Sequence, residues 1–323
     1  MAQFDTFLDD GDVIAGFFMR YEPEFEGSWR DLVAQRVDSM RETETYRKLG
    51  AAATMREWVG NRAIQTANRY SMTLRNLIYE FSYEWTIDDM RRDQLGELRR
   101  ILGDAGAKAA VHPEVLLTTL MINADTTTSG LCYDGQQFVD TDHSSGSSGT
   151  QTNDLTSTEI PSANVGTSTA PTPSEMANIL SEAVGYQYGY LDDKGDPNVN
   201  GTAREFVVFC GTAQLYSAAV QAVGLSRLAS GADNPLDGLK AQRQINITPK
   251  LNPRMSAMTA AIQIYRTDGS KPFLWQVEVP LTTRFIGGGS ELEVRHRKHF
   301  FGADAVYSAG FNEWASAMEI TLS

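Results

Sequence analysis

The chain has 323 residues, with 41 acidic against 28 basic residues and a formal net charge of −13. This length allows one large or two ordinary domains, and the acidic balance disfavours sequence-specific DNA binding. Two cysteines, Cys132 and Cys210, provide no disulfide framework and suit a reducing compartment. We recognise neither a signal peptide nor a window apolar enough to span a membrane, and we expect a soluble protein made in the cytoplasm.

The first forty-odd residues scatter aromatic side chains among acidic ones without a sustained period. The aromatic residues are Phe17, Phe18, Phe25 and Trp29. Two interpretations stay open. The segment is either an arm that packs on something else, such as another copy of the chain, or an ordinary N-terminal helix and loop.

Residues 55–88 alternate between apolar and polar side chains. The alternating positions are Tyr70, Met72 and Leu74, and then Tyr79, Phe81, Tyr83, Trp85 and Ile87. Period two gives a strand one aromatic and one polar face, and Gly60-Asn61 offers a turn. We therefore predict a long β-hairpin. Its aromatic face needs a partner surface, because a two-stranded ribbon is only marginally stable alone.

Residues 89–110 change to helical spacing, with apolar side chains three and four residues apart. The pair His112-Pro113 interrupts this run, because proline disfavours helical backbone in the residue before it. We predict a second helix that begins at Pro113 and carries Val115, Leu116, Leu120 and Met121.

The stretch LCYDGQQFVDTDHSS, residues 131–145, holds the densest set of chemically active side chains. Asp134-Gly135 predicts a two-residue type I′ hairpin turn, and Asp140 and Asp142 can bond their own backbone to hold a turn. The alternative is a metal or hydrolytic site with Asp140, Asp142 and His143 as ligands. Because the cluster runs into a Ser/Gly loop and not along a rigid element, the structural interpretation is favoured.

The remainder combines helices and strands. Residues 143–173 read as a loop, and Thr172 to Glu175 form a capping-box pattern that begins a helix. The run EFVVFC, residues 205–210, predicts a buried strand. Alternation at 273–279, 292–296 and 318–322 predicts further strands, so the fold class is α+β.

Other chemical motifs are weak. His296 and His299, three apart on a predicted strand, would point to opposite faces and could not share a metal. Gly287–Gly289 lacks the lysine and helix of a phosphate loop, and Cys210 is expected to be buried and unreactive. We therefore expect no enzyme, no cofactor and no metal.

Several segments together resemble the Mu-like phage major head subunit. They are WVGNR from Trp58, the alternating ribbon, HPEVLLTTLM, CYDGQQFVDTDH, GTAREFVVFCGTAQLYSAA, KPFLWQ and FFGADAVYSAGFNEW. The most specific is the fourth, Cys132 to His143, hereafter the signature turn. Its signature residues are Cys132, Tyr133, Asp134, Gly135, Asp140, Asp142 and His143.

The resemblance implies an HK97-like capsid fold with peripheral and axial domains. In that scheme residues 1–45 are an N-terminal arm and 46–88 an extended hairpin loop. Residues 89–127 carry the long spine helix, 128–265 form the axial domain, and 266–323 return to the peripheral domain. The implied contacts to neighbouring subunits would use Trp58, Tyr79, Phe81, Tyr83 and Trp85.

The implied function is a major capsid protein that forms hexamers, pentamers and an icosahedral shell around double-stranded DNA. A separate scaffolding protein, a portal and a decoration protein are the expected partners, with no membrane. The expected locations are the virion and, during assembly, the host cytoplasm. The alternatives are a non-viral compartment shell of the same fold, a decoration or tail protein, and a hydrolase using Asp140, Asp142 and His143.

Overall fold

The computed structural model describes residues 10–51, 69–92, 96–197, 199–227, 231 and 233–323. Its helices are α1 (Asp10–Glu26), α2 (Arg30–Val33), α3 (Ile87–Arg92), α4 (Glu97–Ile122), α5 (Pro173–Tyr188), α6 (Ala213–Gly224), α7 (Pro235–Arg243) and α8 (Glu291–His296). Its strands are β1 (Ala34–Asp38), β2 (Thr43–Leu49), β3 (Arg69–Arg75), β4 (Leu77–Thr86), β5 (Asp154–Leu155), β6 (Glu205–Cys210), β7 (Asn246–Leu251), β8 (Ala261–Arg266), β9 (Phe273–Ile286), β10 (Lys298–Phe311) and β11 (Ala317–Thr321). The mixed α and β class is confirmed.

A four-stranded sheet in the order β1-β9-β10-β4 forms one layer. Strand β1 runs parallel to β9, and the pairs β9–β10 and β10–β4 are antiparallel. Strand β4 alternates as its sequence predicts. It does not belong to the hairpin, however, because its whole length pairs with β10.

Helix α1 packs along α4 in the same chain, and residues 10–33 form helices and a short connection, as the interpretation of the N-terminal segment as a helix and loop predicts. Small residues permit the close crossing: a Cβ added at Gly106 would lie 2.3 Å from the Phe17 carbonyl oxygen. Phe17 is fully buried in a cluster with Trp85, Leu102 and Phe301. The scattered aromatic residues therefore find part of their partner surface within the chain.

Helix α4 is one uninterrupted helix with Pro113 inside it. The predicted break at His112-Pro113 and the second helix beginning there are wrong. A proline in a helix interior removes one backbone hydrogen bond and is locally unfavourable. Burial of Pro113 and of Leu117 and Met121 beyond it favours continuation, because the helix keeps its apolar side in the core.

A five-stranded sheet in the order β5-β11-β8-β6-β7, with α5, α6 and α7, contains most of the large hydrophobic core. The predicted strand at 205–210 is β6, and five of its six residues are buried. The predicted capping box is also present: the Thr172 hydroxyl accepts from the Glu175 amide, and the Glu175 carboxylate accepts from the Thr172 amide. The closing strand is β11, which pairs with β5 and β8.

One predicted strand is a helix. Residues 292–296 lie in α8, where the Ser290 side chain accepts a hydrogen bond from the Glu293 amide. This N-cap supplies one of the partners that the first turn of a helix lacks, and it outweighs the short alternation of apolar residues.

The hairpin is formed by β2 and β3, which pair antiparallel from Thr43↔Arg75 to Leu49↔Arg69. It therefore begins and ends earlier than 46–88, and the predicted turn at Gly60-Asn61 lies outside the described residues. Within the described part of the chain, no helix combines the length and apolarity needed to cross a membrane.

Candidate functional site

The signature turn is a tight backbone reversal. The Gly135 amide donates to the Cys132 carbonyl (3.0 Å), and the Cys132 amide donates to the Gln136 carbonyl (2.8 Å). Gly135 has φ 86°, but Asp134 is not among the described residues with positive φ. The predicted type I′ turn needs positive φ at both central residues. The observed turn is instead a three-residue loop that ends on a left-handed glycine.

Asp134 and His143 form the buried centre of the segment. His143 Nδ1 lies 2.7 Å from Asp134 Oδ2, with side-chain exposures of 0% and 1%. Nε2 lies 3.2 Å from Asn153 Oδ1, and the imidazole stacks on Trp314 with ring centres 4.1 Å apart. Both ring nitrogens and one ring face of His143 are therefore in contact with the same chain.

Asp140 orders the backbone around it, as its sequence context predicts. Its carboxylate accepts from the amides of Thr141 (2.7 Å) and Gln137 (3.2 Å). Asp142 is exposed at the surface. Asp142 lies beside Asp140, but both ring nitrogens of His143 are turned towards Asp134 and Asn153 and not towards these two carboxylates. Among the residues that the structure describes, no group of three or more His, Cys, Asp or Glu is placed to hold a metal ion.

Of the two remaining signature residues, Tyr133 links the turn to the hairpin. Tyr133 donates a hydrogen bond to Glu313 Oε1 (3.0 Å), and burial, with the Glu313 charge next in size, raises the pKa of its hydroxyl. Lys48 of β2 forms an ion pair with Glu313, and its ammonium lies 3.8 Å from the centre of the Tyr133 ring. Cys132 is buried, and burial raises the pKa of its thiol.

Three more contacts attach the hairpin to the rest of the chain. Tyr70 of β3 meets Tyr133 edge-on, with ring centres 5.5 Å apart. The Tyr46 hydroxyl donates to Gln276 Oε1 (2.6 Å), and the Ala51 amide donates to Asp193 Oδ1 (2.6 Å). Tyr133 of the signature turn, together with Asp193, Gln276 and Glu313, thus forms the surface that the hairpin contacts. Sequence reasoning missed Lys48, Asp193 and Glu313, which carry no motif and lie far from one another along the chain.

The aromatic residues predicted to contact neighbouring subunits lie in different places. Trp58 is outside the described residues. Trp85 is 3% exposed, and Phe81 lies 5.7 Å from Phe17 and 6.0 Å from Phe301, measured between ring centres. Tyr79 lies between His112 and Tyr307. Tyr83 is 36% exposed.

The prediction of these residues assumed that the aromatic face of β4 finds no partner surface in its own chain, and this assumption is wrong. The aromatic face of β4 packs against α1, α4 and β10. Of the described candidates, Tyr83 is the one with a substantial exposed fraction. The opposite face of β4 carries Ile78, which is 75% exposed. Sequence alternation assigned that face to polar residues and gave no signal for Ile78.

Similarity to solved structures defines the class of fold. The chain superposes on the capsid of bacteriophage JBD30 with TM-score 0.52 and 16% identity, covering 90% of this chain and 64% of that one. It matches the mature capsid of bacteriophage PhiM1 with TM-score 0.56 and 11% identity, covering 92% and 87%. A virus-like particle from Pyrococcus furiosus gives TM-score 0.51 and 9% identity, covering 96% and 98%. The HK97-like capsid fold is confirmed.

The sequence comparisons cover a smaller part of the chain than the structural comparisons do. The family model of the Mu-like prophage major head subunit gpT matches residues 14–173. The major capsid protein of Escherichia phage Mu is 32% identical over 136 residues, which are 40% of this chain and 44% of that protein. The FluMu major head subunit of Haemophilus influenzae is 26% identical over 138 residues, 43% and 44% of the two chains.

The resemblance to the Mu-like phage major head subunit is thereby confirmed over residues 14–173. This region includes residues 14–45 of the arm, the hairpin, α4 and the whole signature turn. The matched segments span less than half the length of the two curated relatives.

Proposed function

We propose that this chain is the major capsid protein of a tailed double-stranded DNA phage or a Mu-like prophage, assembling through hexamers and pentamers into an icosahedral shell. One observation carries the proposal: the family match runs through the hairpin, the long helix and the signature turn of a chain with the HK97-like fold. The proposed locations are the virion capsid and, during assembly, the host cytoplasm. Packaged DNA, a scaffolding protein, a portal and a decoration protein are the proposed partners.

The division of the chain follows the same proposal. Residues 1–45 act as the arm, and the hairpin and β4 connect it to the spine helix. Residues 128–265 form the axial domain. Residues 266–311 return to the peripheral sheet through β9 and β10, whereas β11 pairs in the five-stranded sheet, so the boundary expected for 266–323 is moved there. The contacts of Lys48, Tyr133 and Glu313 support a hairpin whose base is fixed on its own subunit. Shell assembly then depends on many modest interfaces and not on one large one.

The acidic balance suits a container for DNA. With a net charge of −13, the chain does not favour tight binding of the phosphate backbone. A shell that holds DNA in this way would bind it without sequence specificity.

Negative-stain microscopy of the purified full chain, expressed with and without a candidate scaffolding protein, tests the proposal. Closed shells or rings of five and six subunits are the expected result. A monodisperse monomer under both conditions contradicts it. Correctly sized closed shells from the chain alone would keep the capsid role but remove the separate scaffolding protein.

A non-viral compartment shell is the second candidate, because the similarity to the Pyrococcus furiosus particle concerns the same fold. The match to the Mu-like family favours the phage. A terminase or portal gene beside this one would decide for the phage. A cargo-enzyme gene in that place, with protein cargo in purified shells, would decide for the compartment.

A further inference from the structure

Three carboxylic acids lie at the junction between the C-terminal end of α4 and the five-stranded sheet. Glu319 of β11 pairs in register with Asp154 of β5 on one side and with Gln263 of β8 on the other. Residues paired directly across neighbouring strands point to the same face of a sheet. Asp125, which follows α4, acts electrostatically on both Glu319 and Asp154.

A single amide connects this row to the helix. The Gln263 amide nitrogen donates to Glu319 Oε2 (2.7 Å) and to the Met121 carbonyl (2.8 Å), and its oxygen accepts from the Tyr265 hydroxyl (2.7 Å). Met121 lies in the last turn of α4, where backbone carbonyls lack partners within the helix. The hydrogen-bonding groups of Gln263 are therefore fully used, and they give Glu319 one donor.

The surroundings of Glu319 disfavour a negative charge. The C-terminal end of a helix carries partial negative charge, and the charged groups that act on Glu319 from the neighbouring elements are acidic, namely Asp125 and Asp154. Asp154 in turn faces Asp140 and Glu159. Burial raises the pKa of Glu319 to about 7, against the opposing hydrogen bond from Gln263 and with the help of the two neighbouring charges.

We propose that protonated Glu319 lets the edge strand β5 and the end of α4 stay packed on the C-terminal strand, and that its ionisation beside Asp154 on the same face loosens this junction. Strand β5 has two residues, and both pair with β11. Such a short edge pair is the element that like charges on Asp154 and Glu319 would open first. The device is a pH-sensitive clamp within one subunit and does not depend on shell formation.

The direction of the pH dependence follows from proton linkage. The carboxyl binds its proton more tightly in the folded chain than in the unfolded chain, where its pKa is near the ordinary value of 4.5. Stability from this group is therefore fully present below the unfolded pKa and is lost as the pH rises through about 7.

The variant E319Q, which keeps the shape and cannot ionise, tests the clamp. Urea unfolding of the full chain is measured at about pH 5 and about pH 8. Between these two pH values the unfolding equilibrium constant of the wild type should rise on the order of 100-fold more than that of E319Q. E24Q, an exposed position of α1, is the matched control and should follow wild type. Equal pH dependence in wild type and E319Q overturns the proposal.

A second variant and a local measurement keep the test decisive if E319Q does not fold. D154N removes one neighbouring charge, which lowers the pKa of Glu319, so the pH-dependent loss of stability should move to lower pH. Amide exchange gives a second, local measurement. In wild type, exchange of the Glu319 amide, which donates to the Asn153 carbonyl beside β5 (2.9 Å), should be faster than in D154N at about pH 8 and equal at about pH 5. Equal exchange at both values contradicts the clamp.

Discussion

The signature turn and strand β4 both bury side chains whose type suggests a functional surface, but the turn buries polar groups and β4 buries aromatic ones. The turn is rich in groups that could do chemistry, yet Asp134 and His143 are almost completely buried and paired with each other. Strand β4 is rich in aromatic side chains of the kind that dominate interfaces. Its Trp85 is nevertheless buried against the same subunit.

The difference lies in what each side chain requires when it is buried. Asp134 and His143 supply each other's hydrogen bond and so lower the cost of leaving water. The ring of Trp85 packs on apolar neighbours from α4 and β10, although its indole N–H is buried without a hydrogen-bond partner in the described part of the chain. A polar cluster can therefore be a structural centre, and an aromatic strand can be a core strand. Neither composition alone defines a functional surface.

The largest expected effect tests the internal role of β4. W85A should lower the free energy of unfolding by about 4 kcal/mol, because it removes a fully packed aromatic side chain and leaves a cavity. Y83A, two residues away on the same strand and 36% exposed, should cost less than about 1 kcal/mol. Urea unfolding of the unassembled chain measures both values.

The same pair of variants separates stability from assembly. If Tyr83 contacts a neighbouring subunit, Y83A should keep the stability of the chain and reduce the yield of closed shells. A W85A variant that is as stable as wild type would contradict the assignment of β4 to the core. Normal shells from Y83A would remove Tyr83 from the proposed inter-subunit contacts.

The next effect tests the structural role of the signature turn. D134A should cost about 3 kcal/mol, because it leaves His143 buried without the partner of its Nδ1 atom. D142N changes an exposed carboxylate in the same segment and should change stability by about 0.5 kcal/mol or less. Urea unfolding distinguishes the two. Equal losses in both variants would mean that the buried pair does not stabilise the turn.

Local patterns in the sequence predicted the elements whose causes are local. The capping box at Thr172 and Glu175 and the apolar run of β6 depend on neighbouring residues, and the structure contains both as predicted. The turn at Gly135 was found, but its type was wrong, because one residue in its left-handed conformation suffices there.

The features that the sequence did not predict depend on contacts between residues that lie far apart in the chain. Strand β4 pairs with β10, more than 200 residues later in the chain, and nothing in an alternating pattern names its partner. Pro113 continues a helix because its surroundings are buried. Glu313 receives Lys48 and Tyr133 from two other segments. Contacts of this kind follow from the whole fold, and only the family resemblance pointed to it.

The smallest expected effect concerns the contact between the hairpin and the turn. K48M keeps an apolar stem over Tyr133 but removes the ion pair with Glu313. The partly exposed pair should contribute about 1 kcal/mol or less to global stability. A two-stranded sheet is marginal without its docking surface, so K48M should mainly accelerate hydrogen exchange of the β2–β3 amides, measured by mass spectrometry.

K298M provides the matched control, because Lys298 forms a comparable surface ion pair with Glu84 between β10 and β4. It should have a similar global effect and leave the hairpin amides at their wild-type exchange rates. If K48M also leaves them unchanged, the other contacts of the hairpin base, from Tyr46, Tyr70 and Ala51, hold it in place without Lys48. The ring contact of Tyr70 with Tyr133 and the hydrogen bonds of Tyr46 and Ala51 would then position the hairpin without the Lys48–Glu313 ion pair.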